Sequence, residues 1–260
     1  AAVLRVDEVL RVAFLIFPPF FAGFVDSIVG GGGLIQTPAG LILLPNNSVA
    51  QVIGSLKIPS FSGTFFAALT FLKRVKIPVA RIMALGVTAF IASYMGSFCL
   101  TKMSNTFMKP VILVVLVGVA IYTFTKKDFG QESKKENLTF PLYKGILICL
   151  GLGFYDGFIG PGAGSLLVIA FISWLGFDFL QANAHAKLIN LATNLGSIVL
   201  FTLKGAILWS IAIPMAVANA LGGIIGARMA IAKGNKFIRT VFLFVIIATL
   251  CRLGYDVFLH

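Results

Sequence analysis

Long apolar segments, separated by short polar ones, run along almost the whole chain. About 20 apolar residues suffice to cross the hydrocarbon part of a bilayer as an α-helix. The pattern therefore predicts six membrane-spanning helices, over residues 49–72, 79–100, 107–124, 182–203, 208–229 and 237–258. Two further apolar helices are predicted over 9–29 and 142–159. Each is followed by an apolar segment too short to span, over 34–44 or 165–175, which we expect to be a returning half-helix.

A glycine-rich break separates each of these two further helices from its half-helix. The first break is Gly30-Gly31-Gly32-Gly33, and the second is Gly160-Pro161-Gly162-Ala163-Gly164. Glycine in a helix interior costs about 1 kcal/mol relative to alanine, and non-helical backbone is tolerated at membrane depth only where it is buried or lines a cavity. One interpretation is close helix packing through small residues. The other, which four consecutive glycines favour, is that the backbone itself is needed at a binding site.

The two halves of the chain match each other at a constant offset of 130 residues, as from Asp26 to Asp156 and from Lys57 to Lys187. Further matched pairs are Gln51 and Gln181, Phe71 and Phe201, Ile77 and Ile207, Gly96 and Gly226, Asn105 and Asn235, and Phe107 and Phe237. An ungapped match over most of both halves indicates an internal duplication. We therefore expect a first transmembrane repeat over 1–125, a polar cytoplasmic linker over 126–140 and a second repeat over 141–260.

The composition is that of an integral membrane protein. The 260 residues are 58% hydrophobic and 12% charged, and the mean hydropathy is +0.99, which is too apolar for a soluble domain. The net charge of +12 does not indicate a nucleic-acid partner, because the basic residues lie in short loops between apolar segments. Cys99, Cys149 and Cys251 lie within apolar segments, at a spacing that fits neither a zinc site nor a disulfide framework.

The distribution of lysine and arginine predicts which loops face the cytoplasm. Segments 73–81, 126–144 and 228–239 hold four, five and four basic residues, whereas 45–48, 101–109 and 204–207 hold none, two and one. Basic loops are retained on the cytoplasmic side, so the first three segments are predicted to be cytoplasmic. Each repeat then contains a returning pair and three crossings. Because three is odd, we expect two inverted-topology repeats, as in many secondary transporters.

Two lysines lie inside predicted spans at equivalent positions. Lys57 and Lys187 are each followed by polar residues three and seven positions later, on the same helix face. These are Ser60 and Thr64 in the first repeat, and Asn190 and Asn194 in the second. A lysine within a span costs roughly 2.5–3.5 kcal/mol on insertion scales, so it usually faces a cavity or a partner. Lysines with hydroxyl and amide donors suit an oxyanion. The alternative is that each lysine pairs with an aspartate, or reaches the membrane interface, for structure.

The helix starts that follow the two breaks extend this candidate site. Backbone N–H groups at a helix N-terminus attract anions, and in inverted-repeat transporters such termini lie near the midplane. The residues expected to contribute are Gly31, Gly32, Gly33, Gly162, Ala163 and Gly164. Asp26 and Asp156 precede the breaks and can be counter-charges, caps or proton carriers. His185 can transfer protons or be structural, and the sequence leaves these alternatives open.

Recognisable catalytic, metal-binding and nucleotide-binding patterns are missing from the sequence. It has no nucleophile–base arrangement, no metal-ligand spacing and no phosphate-binding loop of the nucleotide-hydrolysing type. We therefore expect a transporter for a small anion, embedded in a lipid bilayer, and neither an enzyme nor a protein with a cofactor or metal. An intramembrane enzyme or a structural subunit is the alternative class.

Two segments resemble the TauE/SafE family of sulfite exporters. They are Gly23-Phe24-Val25-Asp26 with the glycines that follow, and the segment 182–196, Ala-Asn-Ala-His-Ala-Lys-Leu-Ile-Asn-Leu-Ala-Thr-Asn-Leu-Gly. The first repeat departs from the commoner Gly-Thr-Ser pattern of the family with Gly54-Ser55-Leu56-Lys57. The resemblance implies a multi-pass protein of the cell (inner) membrane with two related halves, which exports sulfite or another anion such as sulfoacetate or thiosulfate. Whether it forms a homodimer is left open.

Overall fold

Helices form all the regular secondary structure of the described part of the chain, which comprises residues 2–125 and 140–258 in a computed structural model. Within these ranges the helices are α1 (Ala2–Val29), α2 (Gly32–Leu43), α3 (Val49–Leu72), α4 (Val79–Lys102), α5 (Asn105–Thr125), α6 (Leu142–Phe158), α7 (Ala163–Leu175), α8 (Phe179–Leu203) and α9 (Trp209–Phe258). The predicted all-α class is confirmed. Residues 126–139, which make up nearly all of the predicted linker, lie outside the described residues.

Most helix bounds lie within a few residues of the predicted ones, and α3 has the predicted bounds. Its start is fixed by Ser48, whose hydroxyl accepts a hydrogen bond from the Gln51 N–H at 3.2 Å. At the equivalent start of α8, the Asp178 carboxylate accepts from the Gln181 N–H at 2.7 Å. α1 is longer than predicted, because good helix formers precede the apolar segment. The two predicted spans over 208–229 and 237–258 form one stretch, α9, which is interrupted at Gly234 with φ 67°.

Among the described residues, four helical segments are long and apolar enough to cross a membrane: Val49–Leu72, Val79–Lys102, Phe179–Leu203 and Trp209–Gly234. The half-helices α2 and α7 have 12 and 13 residues, and a rise of about 1.5 Å per residue makes them too short to span. Exposed apolar stripes mark surfaces that face lipid. On α4 the stripe comprises Met83, Val87, Ile91 and Met95, and on α9 it comprises the equivalent Ile213, Val217, Leu221 and Ile225.

The fourth helix of each half packs on helices of the other half. α4 packs mainly on α6 and α8, and α9 packs mainly on α1 and α3. Glycines permit the closest approaches: a Cβ atom on Gly96 would lie 2.1 Å from the Phe154 carbonyl oxygen, and one on the equivalent Gly226 would lie 2.4 Å from that of Phe24. Such reciprocal contacts are the pattern of two units related by a two-fold axis.

Two large apolar clusters and a smaller third one form the core of the described part of the chain. Phe71 belongs to the first, together with Leu85 and Phe171, whereas the equivalent Phe201 belongs to the second, together with Leu100. α3 and α8 each contribute residues to both clusters. Most of the buried polar residues of the candidate site lie on these two helices, between their apolar ends, and others lie on α2 and α6.

Loops that are predicted to share a membrane face meet in the structure. The Arg81 guanidinium donates to the Phe140 carbonyl at 2.8 Å, and at the other end of α4 the Asn105 side chain accepts from the Val49 N–H at 3.0 Å. The loops before α3 and α8 are equivalent in the two repeats. The first lies beside Asn105, whereas Phe177 of the second lies 5.6 Å, ring to ring, from Phe140. Equivalent loops thus lie at opposite ends of α4, which agrees with the inverted repeats that remain a prediction.

Candidate functional site

The two helix breaks are in direct contact. The Gly30 carbonyl accepts a hydrogen bond from the Ser165 N–H at 2.9 Å, and the Ser165 hydroxyl donates to the Val29 carbonyl at 3.0 Å. Gly30 has a φ of 78°, which favours glycine, and a Cβ atom there would lie 2.3 Å from the Gly164 carbonyl carbon. Close packing therefore accounts for the glycines at positions 30 and 164.

Lys57 of α3 forms an ion pair with the aspartate of the second repeat. Its ammonium nitrogen lies 2.7 Å from Asp156 Oδ1, and the two side chains are 6% and 4% exposed. The ammonium also donates to the Asp156 main-chain carbonyl at 2.6 Å. The same carboxylate accepts hydrogen bonds from Asn190 Nδ2 at 2.9 Å and from the Thr193 hydroxyl. Asp156 is thus buried and held by three side-chain donors.

Lys187 of α8 forms the equivalent ion pair with the aspartate of the first repeat. Its ammonium nitrogen lies 2.7 Å from Asp26 Oδ2 and also donates to the Asp26 main-chain carbonyl. The Lys187 side chain is 1% exposed, whereas that of Asp26 is 18% exposed. The other donors to this carboxylate are the Thr64 hydroxyl and the Gly32 N–H, each at 3.4 Å. Both lysines therefore bridge the two repeats.

Thr64 and Asn190 connect the two ion pairs. The Thr64 hydroxyl lies 3.4 Å from the Asp26 carboxylate and 3.4 Å from Asn190 Oδ1, while Asn190 Nδ2 donates to Asp156. Asn194 donates to the same Asn190 oxygen at 3.3 Å. A buried chain of polar contacts thus runs through Lys187, Asp26, Thr64, Asn190, Asp156 and Lys57.

A small cavity opens beside these groups. Its volume is about 40 Å³, and a cavity needs about 10–15 Å³ to hold one water. The cavity therefore has room for a few waters or one small anion. Its walls include Asp26, Lys57, Ser60, Asp156, Asn190 and Asn194, with Gly33, Gly162, Ala163 and Gly164 from the breaks. Lys187, Thr64, Gly31, Gly32 and His185 do not line it.

The helix starts after the breaks both reach the cavity. α2 contributes Gly33 from its first turn, and α7 contributes Ala163 and Gly164. A helix N-terminus carries a partial positive charge, so both starts favour an anion here. Some of their N–H groups already have partners, since Ala163 donates to the Gly160 carbonyl at 3.1 Å and Gly32 donates to Asp26.

His185 is buried away from the cavity. Its Nδ1 lies 2.8 Å from the Gln181 main-chain carbonyl, and its ring lies 4.6 Å from that of Phe177. The equivalent residue in the first repeat, Ser55, donates to the equivalent carbonyl, of Gln51, at 2.7 Å. These contacts support the structural interpretation of the histidine.

Polar residues that were not predicted from the sequence also contribute, among them Thr193, Asn183 and the cavity-lining Thr37. Thr193 donates to the Asp156 carboxylate, and Asn183 donates to two carbonyls near the end of α1, at 3.0 and 2.6 Å. Thr193 lies off the face marked by three- and seven-residue steps from Lys187. Asn183 lies four residues before Lys187, on its face, so this signal was present in the sequence.

Comparison with known proteins places the chain among membrane transporters. It matches the family described as sulfite exporter TauE/SafE over residues 15–253. It is 33% identical over 244 residues to a "Probable membrane transporter protein" of Haemophilus influenzae, with 94% of each chain covered.

Two further relatives are similar over nearly their whole length. They are the probable membrane transporter protein ORF9 of Sinorhizobium sp, at 32% identity over 94% of this chain and 92% of that one, and the probable membrane transporter protein YfcA of Escherichia coli, at 31% identity over 95% and 91%. No solved structure matches the chain.

Proposed function

This chain belongs to the TauE/SafE family of membrane transporters, and from this premise we propose that it exports a small sulfur-containing anion, sulfite in the first place, across the cell (inner) membrane. The family and the relatives are named as transporters and not as enzymes. The substrate, the direction of transport and the residues of the site are what we infer beyond the family.

The observation that carries the proposal is the pair of buried lysines beside a shared cavity. Lys57 lines the cavity directly, and Lys187 lies one carboxylate away, behind Asp26. An oxyanion needs charge compensation and several hydrogen-bond donors, which the lysines, Asn190, Asn194 and the two helix starts supply. The small volume favours an anion of few atoms.

Alternating access would come from one repeat rocking against the other around this site. Each ion pair joins the two repeats, so such a movement changes the surroundings of both lysines at once. Each negative charge that leaves a cell with a negative interior gains about 2.3 kcal/mol per 100 mV. The membrane potential therefore drives anion export without a further energy source.

The test is sulfite efflux from proteoliposomes that contain purified protein. We expect Lys57→Ala and Lys187→Ala each to reduce efflux about 10- to 100-fold, because each removes a positively charged donor to the anion, and such a hydrogen bond is worth about 1.5–3 kcal/mol. Lys204→Ala, at an exposed loop position, is the matched control. Wild-type liposomes that release no sulfite would contradict the proposal, and unchanged efflux in either variant would remove that lysine from the site.

Another anion, such as sulfoacetate or thiosulfate, is the alternative substrate. Competition among anions in the same efflux assay separates these candidates. A longer organic anion needs more room beside Lys57 than sulfite does, and the cavity volume is about 40 Å³. We therefore expect sulfite to compete more strongly than sulfoacetate, and the reverse order would favour the alternative.

A further inference from the structure

The two aspartates of the site differ in how they meet the cavity. Both line it, but the Asp26 side chain is 18% exposed and that of Asp156 is 4% exposed. Lys57, the partner of Asp156, lines the cavity itself, whereas Lys187, the partner of Asp26, does not. An anion in the cavity can therefore contact Lys57 directly, but it reaches Lys187 only if the Asp26 carboxylate moves aside.

The two carboxylates also differ in how firmly they are held. Asp156 accepts from Lys57 at 2.7 Å, from Asn190 at 2.9 Å and from the Thr193 hydroxyl. Asp26 accepts from Lys187 at 2.7 Å, but its other two donors lie at 3.4 Å. Hydrogen bonds weaken at this distance, so Lys187 provides nearly all that holds Asp26. Asp26 is the carboxylate that can be displaced at lower cost.

The charges of the site limit what can enter it. Two ammonium and two carboxylate groups give a net charge of zero. An added anion that displaces Asp26 from Lys187 would leave a carboxylate unpaired in a buried site, which costs several kcal/mol. A proton from the aqueous phase, bound to the displaced carboxylate, removes this cost because the group becomes a neutral acid that can donate a hydrogen bond.

We propose that Asp26, and not Asp156, takes up a proton when an anion binds, as Lys187 exchanges the Asp26 carboxylate for the anion. This inference rests on the proposed function, since it assumes an anion in the cavity. The groups that face Asp26 are Lys187 from α8, the Thr64 hydroxyl from α3 and the Gly32 N–H from α2. Among the described residues, Lys187 is the charged group that contacts Asp26. Because Asp26 takes up a proton as the anion binds, anion binding strengthens as the pH falls.

The test counts protons by calorimetric titration of the purified full chain with sulfite, in two buffers of equal pH but different ionisation enthalpy. Sulfite itself also binds protons. This contribution to the proton count is the same for all variants, so it cancels when they are compared. We expect Asp26→Asn to take up about one proton fewer per bound sulfite than the wild type, and the matched Asp26→Glu, which keeps the carboxyl group, to take up as many as the wild type. Equal counts in wild type and Asp26→Asn would overturn the inference while the proposed function stands.

A measurement on the wild type keeps the inference testable if Asp26→Asn does not fold. Infrared difference spectra with and without sulfite should gain the C=O stretch of one protonated carboxyl group. Asp26→Glu, which keeps the carboxyl group, should shift that band. A spectrum without the band, or a band that does not shift in Asp26→Glu, overturns the inference, whereas absence of any sulfite binding removes the proposed function together with it.

Discussion

Two kinds of contact join the two repeats. Around the site the contacts are between backbones, and at the site they are between charged side chains. Around the site, glycines such as Gly96 and Gly226 bring backbones together, so these contacts depend on shape alone. At the site, two lysines and two aspartates meet across the same boundary, and these contacts depend on charge. Close packing through small residues is a usual way to associate helices in lipid, whereas buried charges in membranes are rare and usually functional.

This difference separates what holds the fold from what can change during transport. A backbone contact at a glycine cannot be replaced by a contact with a ligand. An ion pair can, because a bound anion can take the place of the carboxylate beside the lysine, and a proton can neutralise that carboxylate. The shape-dependent contacts should therefore be needed for folding, and the charged contacts for transport.

The largest effect is expected at the glycine contacts. Gly96→Leu would place side-chain atoms against the Phe154 backbone, where even a Cβ atom would lie 2.1 Å from the carbonyl oxygen. Overpacking that neighbouring side chains can relieve costs about 1–3 kcal/mol. Here the leucine side chain meets backbone, which cannot move aside, so we expect a larger loss of stability than the about 3–5 kcal/mol of an unpaired buried charge. We expect no monodisperse protein in size-exclusion chromatography. Gly151→Leu in α6, where a Cβ atom meets nothing within 4 Å, is the control. Equal behaviour of the two variants would contradict a structural role for the contact.

The next effect concerns one charge pair. Lys57→Met leaves the Asp156 carboxylate buried and unpaired, which should destabilise the protein by about 3–5 kcal/mol, whereas an added Asp156→Leu should restore most of that stability. Thermal unfolding of the purified variants measures this. Sulfite efflux should stay absent in the double variant, although it folds. A double variant that transports at the wild-type rate would mean that this pair serves structure only.

The smallest effect concerns the link between the two pairs. Asn190→Ala removes a donor from Asp156 and the acceptor that Thr64 contacts. Leaving a buried acceptor with one donor fewer costs about 1–3 kcal/mol, so efflux should fall about tenfold. Asn194→Ala leaves the link between the two ion pairs intact and loses the contact with Asn190 and one donor at the cavity wall, so it should cost less. If both variants lower efflux equally, the link has no special part in coupling the pairs.

Much of the fold could be predicted from the sequence, because a membrane restricts it in two ways. A spanning helix needs about 20 apolar residues, and non-helical backbone such as a glycine break is tolerated only where it is buried or lines a cavity. The bounds of α3 and the two half-helices follow from these two restrictions. The site was only partly predictable: the stripes from Lys57 and Lys187 did lead to Asn190, which contacts Asp156. The pairing of each lysine with the aspartate of the other repeat was left open, because it depends on how the repeats pack and not on spacing along one helix.

The cross-pairing of charges has a consequence for the synthesis of the chain. Lys57 is made 99 residues before Asp156, and Asp26 is made 161 residues before Lys187. At about 5–20 residues per second, the ribosome needs on the order of 10 s to deliver the missing counter-ions. During this interval Lys57 and Asp26 of the nascent N-terminal half lack the partners that they have in the folded protein. A chain truncated between the halves lacks these partners permanently and should be removed by membrane quality control.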